Sequence, residues 1–143
     1  MIKVFEPGNY SFEVFYKFMG PFFGERKYKR ELPYLVNTEN TWWFIELKDE
    51  LVTGFSSYEI TNQGVEIGDT FVVEKDLELW GKLAMYALDA AESLGPKRIY
   101  VAVTFEVEQK WYEAQGFEVY RETKNYIFLE KVDEDGQEKE NDN

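Results

Sequence analysis

The chain has 143 residues, 44% hydrophobic and 18% aromatic, with 28 acids against 16 bases and a net charge of −12. It contains no cysteine and no histidine, which excludes thiolate nucleophiles, Cys-x-x-Cys redox pairs, thiolate zinc sites, Ser-His-Asp triads and imidazole bases. Acid–base chemistry therefore falls to Asp, Glu, Tyr or Lys, and the acidity disfavours phosphate backbones while favouring cationic partners.

Ile2–Phe5 reads as an opening strand, followed by turn chemistry at Pro7-Gly8-Asn9. Two helices are expected next, about Tyr10–Phe18 and Phe23–Leu32, broken at Met19-Gly20-Pro21. The second carries Arg26, Lys27, Lys29 and Arg30, the densest basic cluster in the chain. Thr41–Leu47, Leu51–Ile60 and Val65–Val73 are β-branched and aromatic runs separated by the polar turns Lys48-Asp49-Glu50 and Thr61-Asn62-Gln63-Gly64. Short turns between successive strands imply an antiparallel meander.

The period then changes. Trp80, Leu83, Ala84, Ala87, Leu88, Ala91 and Leu94 recur at three- and four-residue steps, the apolar face of a long helix that Gly95-Pro96 stops. Arg98–Val103 reads as a buried strand, parallel to the strand before the long helix. A last helix, Glu106–Gln115, places Val107, Trp111 and Ala114 on one face and ends at Gly116. Phe117–Arg121 and Tyr126–Glu130 are closing strands. The expected organisation is one domain over residues 1–131 and an acidic, disordered tail over 132–143. That tail carries a net −5, leaving −7 on the body. No apolar run approaches the roughly 18 residues needed to span a bilayer. The opening strand lacks the features of a signal peptide, so the expected compartment is the cytoplasm.

The element order, together with Trp-Tyr-Glu-Ala-Gln-Gly-Phe-Glu-Val at 111–119, resembles the GNAT superfamily of acyl-CoA-dependent N-acyltransferases. The resemblance covers nearly the whole chain. It implies an α/β (α+β) fold: a mixed, mostly antiparallel sheet with a splayed parallel strand pair and helices on both faces. It also implies acetyl-CoA as acyl donor, with the pantetheine pairing along Phe71, Val72 and Val73. The family's diphosphate loop maps onto Glu78-Leu79-Trp80-Gly81-Lys82-Leu83, where Gly81 agrees and Lys82 adds a cation. Glu78 and Leu83 depart from the pattern, as does Phe105, which stands where many members carry asparagine.

By the same resemblance Tyr112 protonates the departing thiolate, and a carboxylate on the strand before the long helix removes a proton from the acceptor amine. The candidates are Glu66 and Asp69, three apart and therefore on opposite faces of a regular strand. Asp69 is preferred as nearer the cofactor end. The expected activity is direct acetyl transfer to a small-molecule or protein amine acceptor, without a covalent enzyme intermediate. The acidity disfavours nucleic acid as a partner, no membrane is expected, and a homodimer is the assembly considered. Two alternatives stand beside this: a GNAT-fold binding or regulatory module without acyl-CoA activity, and a virus-type GNAT-like protein that modifies a nucleic-acid base or antagonises a host protein.

Overall fold

The computed structural model describes residues 1–132, so the acidic tail from residue 133 onward lies outside the described residues. The elements are β1 (Ile2–Phe5), α1 (Phe12–Gly24), α2 (Arg26–Glu31), β2 (Thr41–Lys48), β3 (Leu51–Thr61) and β4 (Gly64–Ile67). They continue as β5 (Phe71–Val72), α3 (Leu77–Glu92), β6 (Ile99–Val103), α4 (Glu106–Ala114), β7 (Phe117–Glu122) and β8 (Ile127–Lys131). The sheet runs β1-β2-β3-β4-β6-β8-β7, with β5 added to β3 beyond the end of β4. Every pairing is antiparallel except β4 with β6.

Helices cover both faces. Phe15, Met19 and Phe22 of α1 pack with Trp43, Ile45 and Phe55 on one side. Leu88 and Ala91 of α3 and Tyr112 of α4 pack with Phe44, Val65, Ile67, Val101 and Leu129 on the other. A strand buried on both faces cannot alternate apolar with polar, which is why β2 reads as the continuous run Trp-Trp-Phe-Ile. The hydroxyl of Ser56 on β3 donates to the Leu83 carbonyl at 2.8 Å and ties α3 to the sheet.

Four expectations change. The helix break expected at Met19-Gly20-Pro21 does not occur: α1 continues through Pro21 and ends at Glu25, whose backbone is extended. An interior proline costs about 3 kcal/mol. Burial of Met19 and Phe22 returns roughly 1.5–3 kcal/mol each, so continuing the helix wins. In α4 the face turned inward is Tyr112, while Val107 and Ala114 are exposed. Leu94, expected on the apolar face of α3, lies past its end and is exposed.

The fourth change positions the site. The expected strand Val65–Val73 is two strands with a bulge between them. Tyr58 pairs with Ile67 and Phe55 with Phe71, so three residues (Gly68, Asp69, Thr70) oppose two on β3 (Ser56, Ser57). The extra residue bends the strand away from its old course. Pairing of β4 with β6 stops at Ile67–Val101, whereas Ala102 and Val103 pair only with β8. The sheet therefore opens between β5 and β6, as the expected splayed pair does.

Candidate active site

The opening lies at the ends of β4 and β6, and the bulge delivers Asp69 and Thr70 to it. Along β5 the Val73 amide donates to the Thr53 carbonyl of β3 at 2.9 Å. Backbone groups alternate along a strand, so the Val72 N–H and C=O point the opposite way, into the gap. They form a short open sheet edge. The neighbouring Thr70 carbonyl already accepts from the Trp80 indole at 3.0 Å.

Four polar side chains converge there. Solvent reaches Asp69, but protein crowds it on its other sides, and this partial burial pushes its carboxyl pKa up. Glu108, on the first turn of α4, accepts from the Phe105 amide at 3.1 Å and the Thr104 amide at 3.3 Å. Burial raises its pKa, those two amides lower it, and the charge of Asp69 raises it again. Tyr112 is 1% exposed. Burial pushes its phenol far above the ordinary range, the Thr70 hydroxyl offsets part of this, and Glu108 and Asp69 add to it. The Thr70 hydroxyl lies close enough to the phenol to act on its pKa, yet the two lack the geometry of a hydrogen bond. Thr70 Oγ1 is left buried without a partner among the described residues.

The predicted site residues fall into four groups. Asp69 and Tyr112 come together at the opening. Glu66 does not join them: its neighbours Val65 and Ile67 point into the α3 side of the core, so Glu66 points to the other face of the sheet. There it stands opposite Glu59 and beside Tyr100. Burial raises its pKa, the charges of Glu59 and Asp69 add to this, and Arg98 opposes it. Phe71, Val72 and Val73 provide the open edge, although the Phe71 ring packs inward against Phe22, Tyr28 and Phe55.

The fourth group, Gly81 and Lys82, belongs to the body of α3. The stretch 78–83 is helix, because Asp76 caps α3 and Leu77 begins it. Asp76 Oδ1 accepts from the Leu79 amide at 3.1 Å, and the Trp80 amide donates to the Asp76 carbonyl at 3.0 Å. The amides left for an anion are those of Leu77 and Glu78. A Cβ on Gly81 would sit 3.5 Å from the Trp111 indole nitrogen, an ordinary van der Waals contact, so Trp111 lies against α3 without requiring glycine there. Leu83 is fully buried and touches Gly54, where an added Cβ would lie 2.8 Å from its Cδ1. Leucine stands at 83 because the core needs it.

Sequence reasoning missed Glu108, Thr70 and Trp80. Glu108 carries a sequence signal, an acid at the third position of a helix, which also reads as a helix start. Thr70 and Trp80 carry none, since their roles come from the bulge. A separate open recess of about 360 Å³ lies at the far end of the β4–β6 pair, lined by residues 60–65 and by Leu94, Pro96 and Lys97. It has no carboxylate and is remote from Asp69 and Tyr112.

No family model matches the sequence, and no curated protein matches it. Solved structures do match. A Pseudomonas aeruginosa acyl-CoA N-acyltransferase superposes with a TM-score of 0.73 at 16% identity, over 92% of this chain and 99% of that one. Escherichia coli ElaA gives 0.71 at 16% identity, over 92% and 99%. The Thermoplasma acidophilum PaiA N-acetyltransferase, in complex with coenzyme A, gives 0.58 at 15% identity, over 93% and 99%. The chain has the GNAT fold. None of its described helices is long and apolar enough to cross a membrane.

Proposed function

We propose that the chain is an N-acyltransferase that takes an acyl group, in the first instance acetyl, from a pantetheine thioester and passes it to an amine. One observation carries this reading: a bulge sets Asp69 beside an open β5 edge and within the electrostatic reach of the buried Tyr112 phenol. Acetyl-CoA is the donor that the fold and its coenzyme-A-bound relative suggest.

The fit to that donor is uneven. The open edge at Val72 suits the amide-rich pantetheine arm. The first turn of α3, with carboxylates at 74, 76 and 78 around two free amides, does not suit a diphosphate. Each residue's part follows from its surroundings. Asp69, reached by solvent, accepts a proton from the incoming ammonium, directly or through water. The Val72 amide donates to the carbonyl oxygen as charge develops there. The Tyr112 phenol, held protonated by burial, donates a hydrogen bond to the departing sulfur. A phenol raised this far is a weaker acid than the ordinary ~10, so its contribution is a hydrogen bond before it is a completed transfer. Glu66, on the other face, is left to contact the acceptor.

The test is turnover with acetyl-CoA and a panel of primary amines. The Asp69→Asn variant should lose about 10²–10⁴-fold in kcat. Turnover unchanged in that variant would remove Asp69 from the mechanism. A second reading, a binding module without acyl transfer, is favoured by the acids at the start of α3. It predicts no turnover with any thioester.

A further inference from the structure

β5 ends at Val72 and α3 begins at Leu77, so only Val73–Asp76 separate the open edge from the helix N-terminus. A ligand laid along that edge therefore reaches the first turn of α3 within a few ångströms. In many helices such a turn is an anion site, because amides and dipole both point at the ligand. Here the turn is already answered by the protein. The Asp76 carboxylate takes the Leu79 amide. Glu78 lies on the first turn and Glu74 just before it. Lys75 is the one cation between them in sequence.

The groove between α3 and α4 is filled as well. The Trp80 and Trp111 rings meet edge to face at 5.4 Å, and Trp111 and Tyr112 at 4.9 Å. The Trp80 indole is fixed by its bond to the Thr70 carbonyl, and Trp111 closes on Gly81. Two independent features, charge and volume, thus oppose a nucleotide diphosphate at the place where the arm leads.

Resting on the acyltransferase reading, we infer that this chain recognises its donor through the pantetheine arm alone, and that the 3′-phospho-ADP end of coenzyme A contributes no affinity. The donor class is then any acyl thioester of a pantetheine-like thiol. The reaction balances without the nucleotide. The amine nitrogen forms a C–N bond to the acyl carbon and the C–S bond breaks. The sulfur leaves with the electron pair and gains one proton, while the nitrogen gives up one, leaving an amide and a free thiol.

The experiment is calorimetric titration of the full chain with coenzyme A, with pantetheine and with 3′,5′-ADP, at low and moderate salt. Coenzyme A and pantetheine should bind within about threefold of each other, a small difference on a scale where tenfold is 1.4 kcal/mol. The 3′,5′-ADP should neither bind nor compete. The double variant Asp76→Ser, Glu78→Gln keeps a capping hydroxyl and removes both charges. It should tighten coenzyme A about tenfold or more and leave pantetheine unchanged, since a like charge near a phosphate costs on that order. Coenzyme A binding tenfold tighter than pantetheine to the unmodified chain would overturn the inference and leave the acyltransferase reading standing. Competition by 3′,5′-ADP would do the same. Binding of neither thiol would overturn both.

Discussion

Tyr112 is almost wholly buried, and its phenol oxygen lies within reach of the Thr70 hydroxyl. Tyr112→Phe keeps the ring that packs against Trp111 and Phe117 and removes only that oxygen. The variant should keep the parent's stability to within about 1 kcal/mol in denaturant unfolding. Its turnover should fall by about 10²-fold or more if the hydroxyl serves the departing sulfur. Stability lost together with activity would mean that Tyr112 is there to pack. Asp69 gives a complementary reading by pH. Burial raises its pKa, so the acid limb of kcat/KM should lie above the ordinary carboxyl value of about 4, rising with pH as the base ionises. Asp69→Asn should remove that limb. Because the Tyr112 phenol is pushed well above its usual range, it should contribute no alkaline limb below about pH 10.

At the scale of elements, the bulge between β4 and β5 decides what the site contains. Gly68 sits in it with its amide on the Ser57 carbonyl at 2.9 Å, and a Cβ there would collide with the Ser57 hydroxyl. Ser57 is itself buried and has little room to turn. Gly68→Ala should therefore displace Asp69 and lower turnover while the far elements keep their structure. Gly54→Ala probes the other support. Its Cβ would lie 2.8 Å from both the Leu83 side chain and the Phe71 carbonyl, prising β5 and α3 away from β3. The expected cost is about 1–3 kcal/mol in thermal or chemical unfolding. A cost within a few tenths would show that β5 can shift freely.

This is also where sequence stopped being informative. The strands, the long helix and the turn at Gly116 were legible because periods of two and 3.6 and a left-handed glycine leave local marks. The split of residues 65–73 leaves none. It is a matter of register against β3, and Val65–Val73 looks like one apolar run either way. Glu66 and Asp69 were judged by strand alternation, which a single inserted residue cancels. The helical state of 78–83 was legible, because Trp80 and Leu83 stand on the apolar face of the long helix and Asp76 is a capping residue three before Leu79.

For the whole molecule, the distribution of charge sets how stability depends on pH. Glu66, Asp69 and Glu108 all have pKa values raised by burial, with further raising of Glu66 by Glu59 and Asp69, and of Glu108 by Asp69. In each case the folded chain holds its proton to a higher pH than the unfolded chain does. Between the ordinary carboxyl value of about 4 and the raised values, the folded state therefore binds more protons, and stability falls as pH rises. The contribution of these three groups is fully present below their unfolded pKa and is lost on passing upward through the folded one. The net charge of −12 acts in the same sense, since partial neutralisation relieves repulsion in the compact state. Thermal unfolding of the full chain should give a higher midpoint near pH 5.5 than near pH 7.5. Staying above about pH 5 keeps ordinary carboxylates charged. The triple variant Glu66→Gln, Asp69→Asn, Glu108→Gln keeps an acceptor oxygen at each position, including the cap of α4, and should flatten that slope. A midpoint that drops steadily on acidification would mean that the carboxylates at the strand opening are stabilised as anions, and would remove the basis for an unusually basic Asp69.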